Sequence, residues 1–234
     1  MKSYGQFCPV AMALELLAER WTLLVVRELL SGARRFNDMS RGVPQMSRTM
    51  LSQRLKTLED AGVVLRVPAT SGGTHEYCLT QAGKELEPIV LGLGKWGQRW
   101  ASQEIKDEHL DASLLMWDMH RRVDVNAVPA GRVVVRFDFT DAPTTQRRYW
   151  LKLEDRQPDV CFTDPGFDVQ AILESDVRTL TEIWMGRIAF GQALRDKRLS
   201  ITGKSTIVRQ LPHWLMLNLF ADIEPQPTQR AGQG

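Results

Sequence analysis

Residues 46–64, MSRTMLSQRLKTLEDAGVV, constrain the fold more than any other stretch, because they specify a short helix with one buried side. The apolar stripe consists of three leucines at i, i+4 and i+7, namely Leu51, Leu55 and Leu58. Ser47 can cap the first turn through its hydroxyl, and Gly62 can supply the left-handed residue that ends a helix. The spacing therefore predicts a helix over residues 48–61.

The opposite side of this helix carries hydrogen-bonding and basic residues and no acid. Its members are Arg48, Thr49, Ser52, Gln53 and Lys56. A solvated helix face usually mixes both signs of charge, whereas here the acids Glu59 and Asp60 come only at the far end. Residues 34–56 hold six basic side chains and a single acid, Asp38. This concentration is expected of a phosphate-binding surface; a basic patch without a partner is the alternative.

The bulk composition is that of an ordinary globular protein with room for two domains. The chain has 234 residues, of which 43% are hydrophobic and 25% charged, and its net charge is +2. Residues 1–104 carry a net charge of +3 and residues 105–234 a net charge of −1. No apolar run approaches the ~18 to 20 residues that span a bilayer, and acids interrupt the N-terminal apolar stretch. We therefore expect a cytoplasmic protein with no membrane partner.

The sequence offers no recognisable catalytic or metal site. The three cysteines, Cys8, Cys78 and Cys161, are odd in number and widely spaced, which argues against a disulfide framework or a zinc site. The four histidines lack metal-ligand spacing, and the C-terminal half contains no recognisable triad. TGKSTIV (202–208) lacks the first glycine of a phosphate-binding loop, because position 198 is Arg. We predict no catalytic residue, no metal and no cofactor.

Three further helices and two strands surround the 48–61 helix in the sequence. The helices are predicted over 9–19, 22–31 and 36–43, with core candidates Leu14, Leu17, Leu24 and Leu30. Pro44 breaks the chain before Ser47. Strand-like runs follow at 63–67 and 75–79, on either side of the turn-forming PATSGGT. Helices followed by two strands joined through a Gly-Gly loop predict a helix-turn-helix with a β-hairpin wing.

Several blocks in this order resemble the HxlR-type winged-helix transcriptional regulators, over about residues 7–100. The blocks are Cys8-Pro9, Arg20-Trp21, Phe36, Leu51-Ser52-Gln53-Arg54-Leu55, Ala61-Gly62, and Thr80 with Ala82-Gly83. The resemblance implies a dimer that places the second helix of the motif in the major groove of double-stranded DNA. It also implies that the wing lies on the flanking backbone or the minor groove.

The candidate DNA contacts follow from this arrangement. A helix that reads DNA needs side chains that hydrogen-bond base edges and phosphates, and acids on that side would be repelled. Arg48 and Gln53 are therefore predicted to contact base edges, and Lys56 is predicted to contact a phosphate. The full candidate set is Arg35, Ser47, Arg48, Thr49, Ser52, Gln53 and Lys56, with Arg66, Ser71, Thr74 and His75 in the wing. Arg54 could contact DNA or form a salt bridge to Glu59 or Asp60. For His75 the alternative is an exposed strand residue without a role.

A long helical stretch follows Thr80, a candidate cap, and runs to about residue 103, where Pro88 should kink it or begin a new helix. Its heptad-like stripe consists of Ile89, Leu93, Trp96 and Trp100. We expect this stripe to be the seam of a homodimer, because a palindromic operator needs two motifs roughly one DNA turn, ~34 Å, apart. The alternative is packing against the N-terminal helices of the same chain.

The second half predicts an α+β domain over residues 105–223, so the whole chain is predicted to be multi-domain, with residues 224–234 as a disordered tail. Predicted helices cover 111–123, 175–186, 190–198 and 204–217, and predicted strands cover 132–140, 147–154, 158–163, 167–174 and 199–203. Asp168-Val169, Asp176–Leu180, Gly186, Ala193 and RLSITG (198–203) resemble the sterol-carrier-protein type-2 fold.

This second resemblance implies an apolar small-molecule effector held between sheet and helices. The residues that would line its pocket are Phe137, Phe139, Leu151, Phe162, Trp184 and Met185. The alternative is that this aromatic stripe is plain core.

The function predicted from the sequence is a homodimeric DNA-binding regulator, with repression as the expected sign. Some HxlR-type regulators sense quinones, aldehydes or oxidants through a cysteine at the Cys-Pro position, and Cys8 occupies it; a half-buried structural thiol is the alternative. A hydrophobic-ligand binding protein without a DNA role, or an unrecognised enzyme in the C-terminal domain, is the competing function.

Overall fold

The structure is a computed structural model that describes residues 3–69, 74–101 and 104–227. The chain divides into two compact units, residues 1–94 (unit 1) and residues 95–234 (unit 2). The sequence prediction placed the boundary after residue 104. None of the helices in the described part of the chain combines the length and apolar character needed to cross a bilayer.

Unit 1 begins with four helices, and the local signals that predicted the last of them are present in the structure. These helices are α1 (Pro9–Leu17), α2 (Thr22–Leu30), α3 (Phe36–Gly42) and α4 (Arg48–Asp60). The hydroxyl of Ser47 accepts a hydrogen bond from the backbone N–H of Met50 at 3.2 Å. Gly62 follows α4 with φ of +70°. The predicted cap and the predicted left-handed glycine are both confirmed.

A two-stranded antiparallel hairpin forms the wing. Strand β1 (Val64–Pro68) pairs with β2 (His75–Leu79), with Val64 opposite Leu79 and Pro68 opposite His75. The backbone N–H of Tyr77 donates to the carbonyl oxygen of Arg34 at 2.8 Å, which joins the hairpin to the segment before α3. Together with α3 and α4, this hairpin gives unit 1 the predicted winged helix-turn-helix architecture.

The core of unit 1 lies beneath α4. Leu51, Leu55 and Leu58 are at most 1% exposed, and they belong to one cluster with Val25 and Met39. Burying three leucines on one side contributes several kcal/mol at about 1.5–3 kcal/mol each. The orientation of α4 is therefore fixed by its apolar stripe.

Two of the predicted core residues are wrong. Leu14 is 43% exposed and Leu24 is 40% exposed, while Leu17 and Leu30 are half-buried. The helices α1 and α2 carry more apolar residues than one buried side can accommodate, so Ala11 of α1 and Val25 of α2 occupy the inward positions instead. Sequence periodicity identified apolar helices but not which side of each would be covered.

The chain after the wing forms two helices rather than one. The hydroxyl of Thr80 caps α5 (Gln81–Lys84) by accepting from the N–H of Gly83 at 3.1 Å. Pro88 lies in the first turn of α6 (Glu87–Trp96), where its missing N–H has no helical partner to lose. A π-helix, Gly97–Ala101, follows α6 and lies within residues 95–234 of unit 2. Of the two predicted effects of Pro88, the start of a new helix is the one observed.

Unit 2 is built on a mixed five-stranded sheet within the described residues. Its strands are β3 (Val133–Phe139), β4 (Arg148–Glu154), β5 (Gln157–Cys161), β6 (Ala171–Ser175) and β7 (Leu199–Gly203). Their order is β5-β4-β3-β6-β7, and β3 and β6 are parallel while the other neighbours are antiparallel. Strand β6 starts later than predicted, because Gly166 at φ of +74° and the residues after it form a loop.

Four α-helices complete the described part of unit 2 and give it the predicted α+β composition. They are α7 (Ala112–His120), α8 (Val177–Trp184), α9 (Phe190–Arg195) and α10 (Ser205–Trp214). Short 3-10 turns occur at Asp107–His109 and Thr144–Gln146. One core cluster joins Met116 of α7, Leu180 of α8 and Trp214 of α10 to the sheet.

Candidate nucleic-acid interface

The acid-free side of α4 is turned outward along its whole length. We call Arg48, Thr49, Ser52, Gln53 and Lys56 the α4 face; all five are exposed, and they line one open depression together with Thr57. The same helix directs Leu51, Leu55 and Leu58 into the core. Because the apolar stripe is committed to the core, the α4 face is available to a partner.

Arg48, the first residue of α4, is held by α3. Its Nη2 donates to Oδ1 of Asn37 at 2.9 Å. Its guanidinium carbon lies 4.8 Å from the centre of the Phe36 ring, within cation–π range. The guanidinium of Arg48 therefore has a defined position at the amino end of α4.

Lys56 is paired within its own helix. Its ammonium lies 2.5 Å from a carboxylate oxygen of Asp60, and both side chains are largely exposed. The hydrogen bond that Lys56 donates to Asp60 and the negative charge of Asp60 raise the pKa of Lys56, so this amine stays protonated. An exposed pair of this kind contributes little to stability, so a DNA phosphate can compete for Lys56.

Arg54 does not form either of the salt bridges that the sequence suggested. Its Nη2 lies 3.3 Å from a carboxylate oxygen of Glu19, in the turn between α1 and α2, and its side chain is only 16% exposed. The helix directs Arg54 toward α1 and away from the solvent-facing acids at its own end. Arg54 joins α4 to the N-terminal helices.

The wing candidates form one hydrogen-bonded group around His75. Nδ1 of His75 lies 3.0 Å from Nη2 of Arg66 and 2.8 Å from the hydroxyl of Thr74, and Nε2 lies 3.2 Å from the hydroxyl of Tyr77. Because an arginine can only donate, Nδ1 acts as the acceptor. His75 is half-buried and not exposed as the alternative had it, and its contact with DNA stays a prediction. Ser71 lies outside the described residues.

Arg35, the remaining basic candidate, lies before α3. Its Nε is 4.0 Å from a carboxylate oxygen of Glu76, which is almost fully buried in the wing strand β2. About half of the Arg35 side chain is exposed. Arg35 therefore connects the helix-turn-helix with the wing, and the exposed half of its side chain remains accessible to solvent.

The predicted dimer stripe is exposed in the single chain. Ile89, Leu93, Trp96 and Trp100 are all exposed, whereas Leu86 and Val90 pack against the core of unit 1. The side of the α5–α6 segment that covers the N-terminal helices is therefore a different one. Within unit 1, Ile89 and Leu93 are 48% and 49% exposed and are not part of the core cluster.

A second exposed apolar surface was missed from the sequence. Phe7 is 98% exposed, and Val10 and Met12 of α1 are also exposed. The signal was present, because every residue of α1 except Glu15 is apolar, and such a helix needs cover on more than one side. These residues belong with the dimer stripe as candidates for contact with another chain.

Cys8 occupies the N-cap position of α1 and is half-buried. The other cysteines do not form an obvious partner for it: Cys78 lies in β2, with Sγ 3.9 Å from Nη1 of Arg34, and Cys161 lies in β5. Redox sensing by Cys8 stays a prediction. Among the described residues, no group of three His, Cys, Asp or Glu side chains could hold a metal ion.

The predicted ligand-binding residues of unit 2 lie in its core. Phe137, Phe139 and Leu151 are at most 1% exposed, Trp184 is also buried, and Phe162 and Met185 pack against the same cluster. Tyr149 contacts the rings of both Phe139 and Phe162. This placement is typical of ordinary core side chains, and a bound apolar ligand stays a prediction.

Comparison with known proteins gives matches over the N-terminal part of the chain. A family model described as HxlR-like helix-turn-helix matches residues 16–105. YvaP of Bacillus subtilis, an uncharacterized HTH-type transcriptional regulator, is 39% identical over 106 residues, which are 44% of this chain and 97% of YvaP. Rv3095 of Mycobacterium tuberculosis, another uncharacterized HTH-type transcriptional regulator, is 45% identical over 39% of this chain, which spans 58% of that protein.

Among solved structures, the reduced form of the transcriptional regulator YodB from B. subtilis is 28% identical, with a TM-score of 0.37. That match covers 43% of this chain and all of YodB. The family match stops at residue 105, so the resemblance of residues 168–203 to the sterol-carrier-protein type-2 fold stays a prediction.

Proposed function

Because the chain belongs to the HxlR-like helix-turn-helix family, we propose that it regulates transcription as a homodimer that reads duplex DNA through the α4 face. Its relatives are HTH-type transcriptional regulators, which favours DNA binding over a hydrophobic-ligand protein without a DNA role. Repression, an apolar effector and a reactive Cys8 stay predictions.

The observation that carries the proposal is the exposed, acid-free α4 face. A helix in the major groove needs donors and acceptors for base edges and cations for phosphates. The α4 face supplies both, and the positive end of the helix dipole adds to the attraction for phosphate. Gln53 can bond both a donor and an acceptor on one base, and Lys56 retains its charge beside Asp60.

The homodimer is supported by the two exposed apolar surfaces. Isolated apolar residues on a surface are normal, but contiguous exposed patches mark interaction sites. The stripe on α6 and its continuation contains two tryptophans, Trp96 and Trp100, and tryptophan is enriched at the centres of interfaces. A two-fold dimer would present two copies of α4 to two half-sites of a palindromic operator.

Selection from a library of random DNA duplexes at physiological salt tests the proposal. We expect the purified protein to enrich a palindromic sequence. A parallel selection with the Arg48→Ala/Gln53→Ala variant should lose most of that enrichment. Arg209→Ala/Gln210→Ala is the matched control, since it removes the same residue types from exposed positions of α10 in unit 2. Recovery of unenriched sequences by the wild-type protein would contradict the proposal.

A further inference from the structure

We propose that Asn37 and Phe36 of α3 are positioning residues that hold Arg48 for base reading, and thereby set the sequence specificity of α4. This inference rests on the proposed function, since it concerns how the α4 face discriminates among DNA sequences. It adds two residues of the first helix of the motif to the specificity-determining set.

The contacts restrain Arg48 in two independent ways. The hydrogen bond from Nη2 to Oδ1 of Asn37, at 2.9 Å, fixes one edge of the guanidinium. The ring of Phe36, 4.8 Å from the guanidinium carbon, supports one of its faces. Phe36 is half-buried and packs against the core of unit 1, so this support is itself fixed. Arg48 and Asn37 are both exposed.

The restraint leaves Arg48 able to bind. A guanidinium carries five N–H donors in one plane, and the bond to Asn37 occupies the Nη2 end. The other donors can face the two acceptors that guanine presents in the major groove, O6 and N7. An arginine that is already held in place loses less conformational entropy when it binds. A larger part of its interaction free energy with the correct base therefore contributes to binding.

Asn37 is therefore expected to act through Arg48 and not on the DNA itself. Phe36 packs against the core of unit 1 and contacts the guanidinium of Arg48, so the core holds Arg48 in place through Phe36. A direct contact from Asn37 to a phosphate would instead weaken binding to all sequences alike. The two roles predict different results in a double-mutant cycle.

The test measures binding of the selected duplex, and of duplexes with single base-pair changes, to four proteins in the full chain: wild type, Asn37→Ala, Arg48→Ala and the double variant. We expect Arg48→Ala to reduce discrimination at one base pair by roughly five- to a hundredfold. Asn37→Ala should reduce discrimination at the same base pair by about two- to tenfold. In the Arg48→Ala background, Asn37→Ala should have no further effect.

Gln81→Ala is the matched control, because it also removes one exposed side-chain amide and its hydrogen bond, here to Glu85 at 3.1 Å. It should leave discrimination unchanged. The inference is overturned if Asn37→Ala leaves discrimination at that base pair intact, or if its effect persists without Arg48. It is also overturned if Arg48→Ala changes no base preference while wild type binds its duplex. Failure of the proposed function looks different, because the wild-type protein would then prefer no duplex.

Discussion

Individual side chains on α4 differ in how firmly the protein holds them, and the difference matches the roles expected of them. Arg48 has two partners on α3, as befits a group that must meet one base edge with defined geometry. Lys56 has only an exposed partner one helical turn away, which suits a point charge that can follow a phosphate. On the proposed function, base specificity would depend on Arg48 and phosphate affinity on Lys56.

His120 is the residue through which acid should weaken unit 2. Burial, reinforced by the charge of Arg121, lowers the pKa of His120 from 6.5 to about 4. Its ring packs on that of Trp117, with 4.5 Å between the ring centres. Between pH 6.5 and 4 the unfolded chain therefore binds a proton that the folded chain does not, and the free energy of unfolding falls as the pH falls.

We expect acidification from pH 7.5 to 4.5 to cost unit 2 roughly 2–3 kcal/mol through His120. Urea unfolding of wild type and His120→Leu at both pH values measures this. The variant should lose less stability on acidification than wild type, whatever its absolute stability. Equal losses in the two proteins would show that His120 is not the titrating group.

At the level of single elements, Gly83 fixes how α5 meets the wing. A Cβ atom at this position would lie 2.3 Å from the carbonyl oxygen of Val63 and 2.9 Å from a methyl carbon of Leu79. Gly83→Ala should therefore force the start of α5 away from the hairpin and destabilise unit 1 by about 1–3 kcal/mol.

The matched control for this prediction is Gly92→Ala in α6, where the added Cβ has no neighbour within 4 Å among the described residues beyond the adjacent residues and the backbone of its own helix. This change should stabilise the helix by up to about 1 kcal/mol. Urea unfolding of the two variants measures the difference. If Gly83→Ala were as stable as Gly92→Ala, the close approach at α5 would be wrong.

Element identities were largely predictable from the sequence, because each depends on local signals. The spacing of the leucines, the Ser47 cap and Gly62 predict the position of α4. The wing strand 75–79 and the strand 199–203 have the predicted bounds. The outward side of α4 followed from its leucine stripe. Local pattern could not show that Leu14 and Leu24 would stay exposed, or that Arg54 would bond to Glu19, because both depend on which elements meet in three dimensions. The contacts of Arg48 with Asn37 and Phe36 are likewise tertiary contacts, which sequence spacing does not reveal.

At the level of the whole molecule, the exposed stripe on α6 predicts self-association. Leu93→Glu places a charge in the middle of this stripe and should convert the dimer to a monomer, since a buried unpaired charge is costly. Sedimentation equilibrium should give twice the 26.6 kDa chain mass for wild type and the chain mass for the variant. Leu194→Glu, an exposed leucine of α9 in unit 2, is the control and should remain dimeric. A monomeric wild type would contradict the proposed dimer.

The division of the chain into two units also shows where prediction from sequence ends. The order of the motifs was sufficient to predict the winged helix-turn-helix architecture of unit 1. The polar side of α4 could also be predicted to stay exposed, because its leucine side is buried. Unit 2 offered strand and helix periodicity and a resemblance over residues 168–203, which indicate an α+β fold but leave what that fold binds as a prediction. Its aromatic stripe became core, and no spacing pattern separates a core residue such as Phe137 from one that lines a cavity.

The central claim is that the α4 face lies against a duplex, and one substitution tests it most directly. Gln53→Glu keeps the size of the side chain and adds a negative charge to a face that has none. Fluorescence anisotropy with the selected duplex at physiological salt should show a loss of affinity of at least about tenfold, because like charges would meet. Gln146→Glu, which adds the same charge at an exposed position in unit 2, should bind as wild type. Equal affinity of Gln53→Glu and Gln146→Glu for that duplex would contradict the claim.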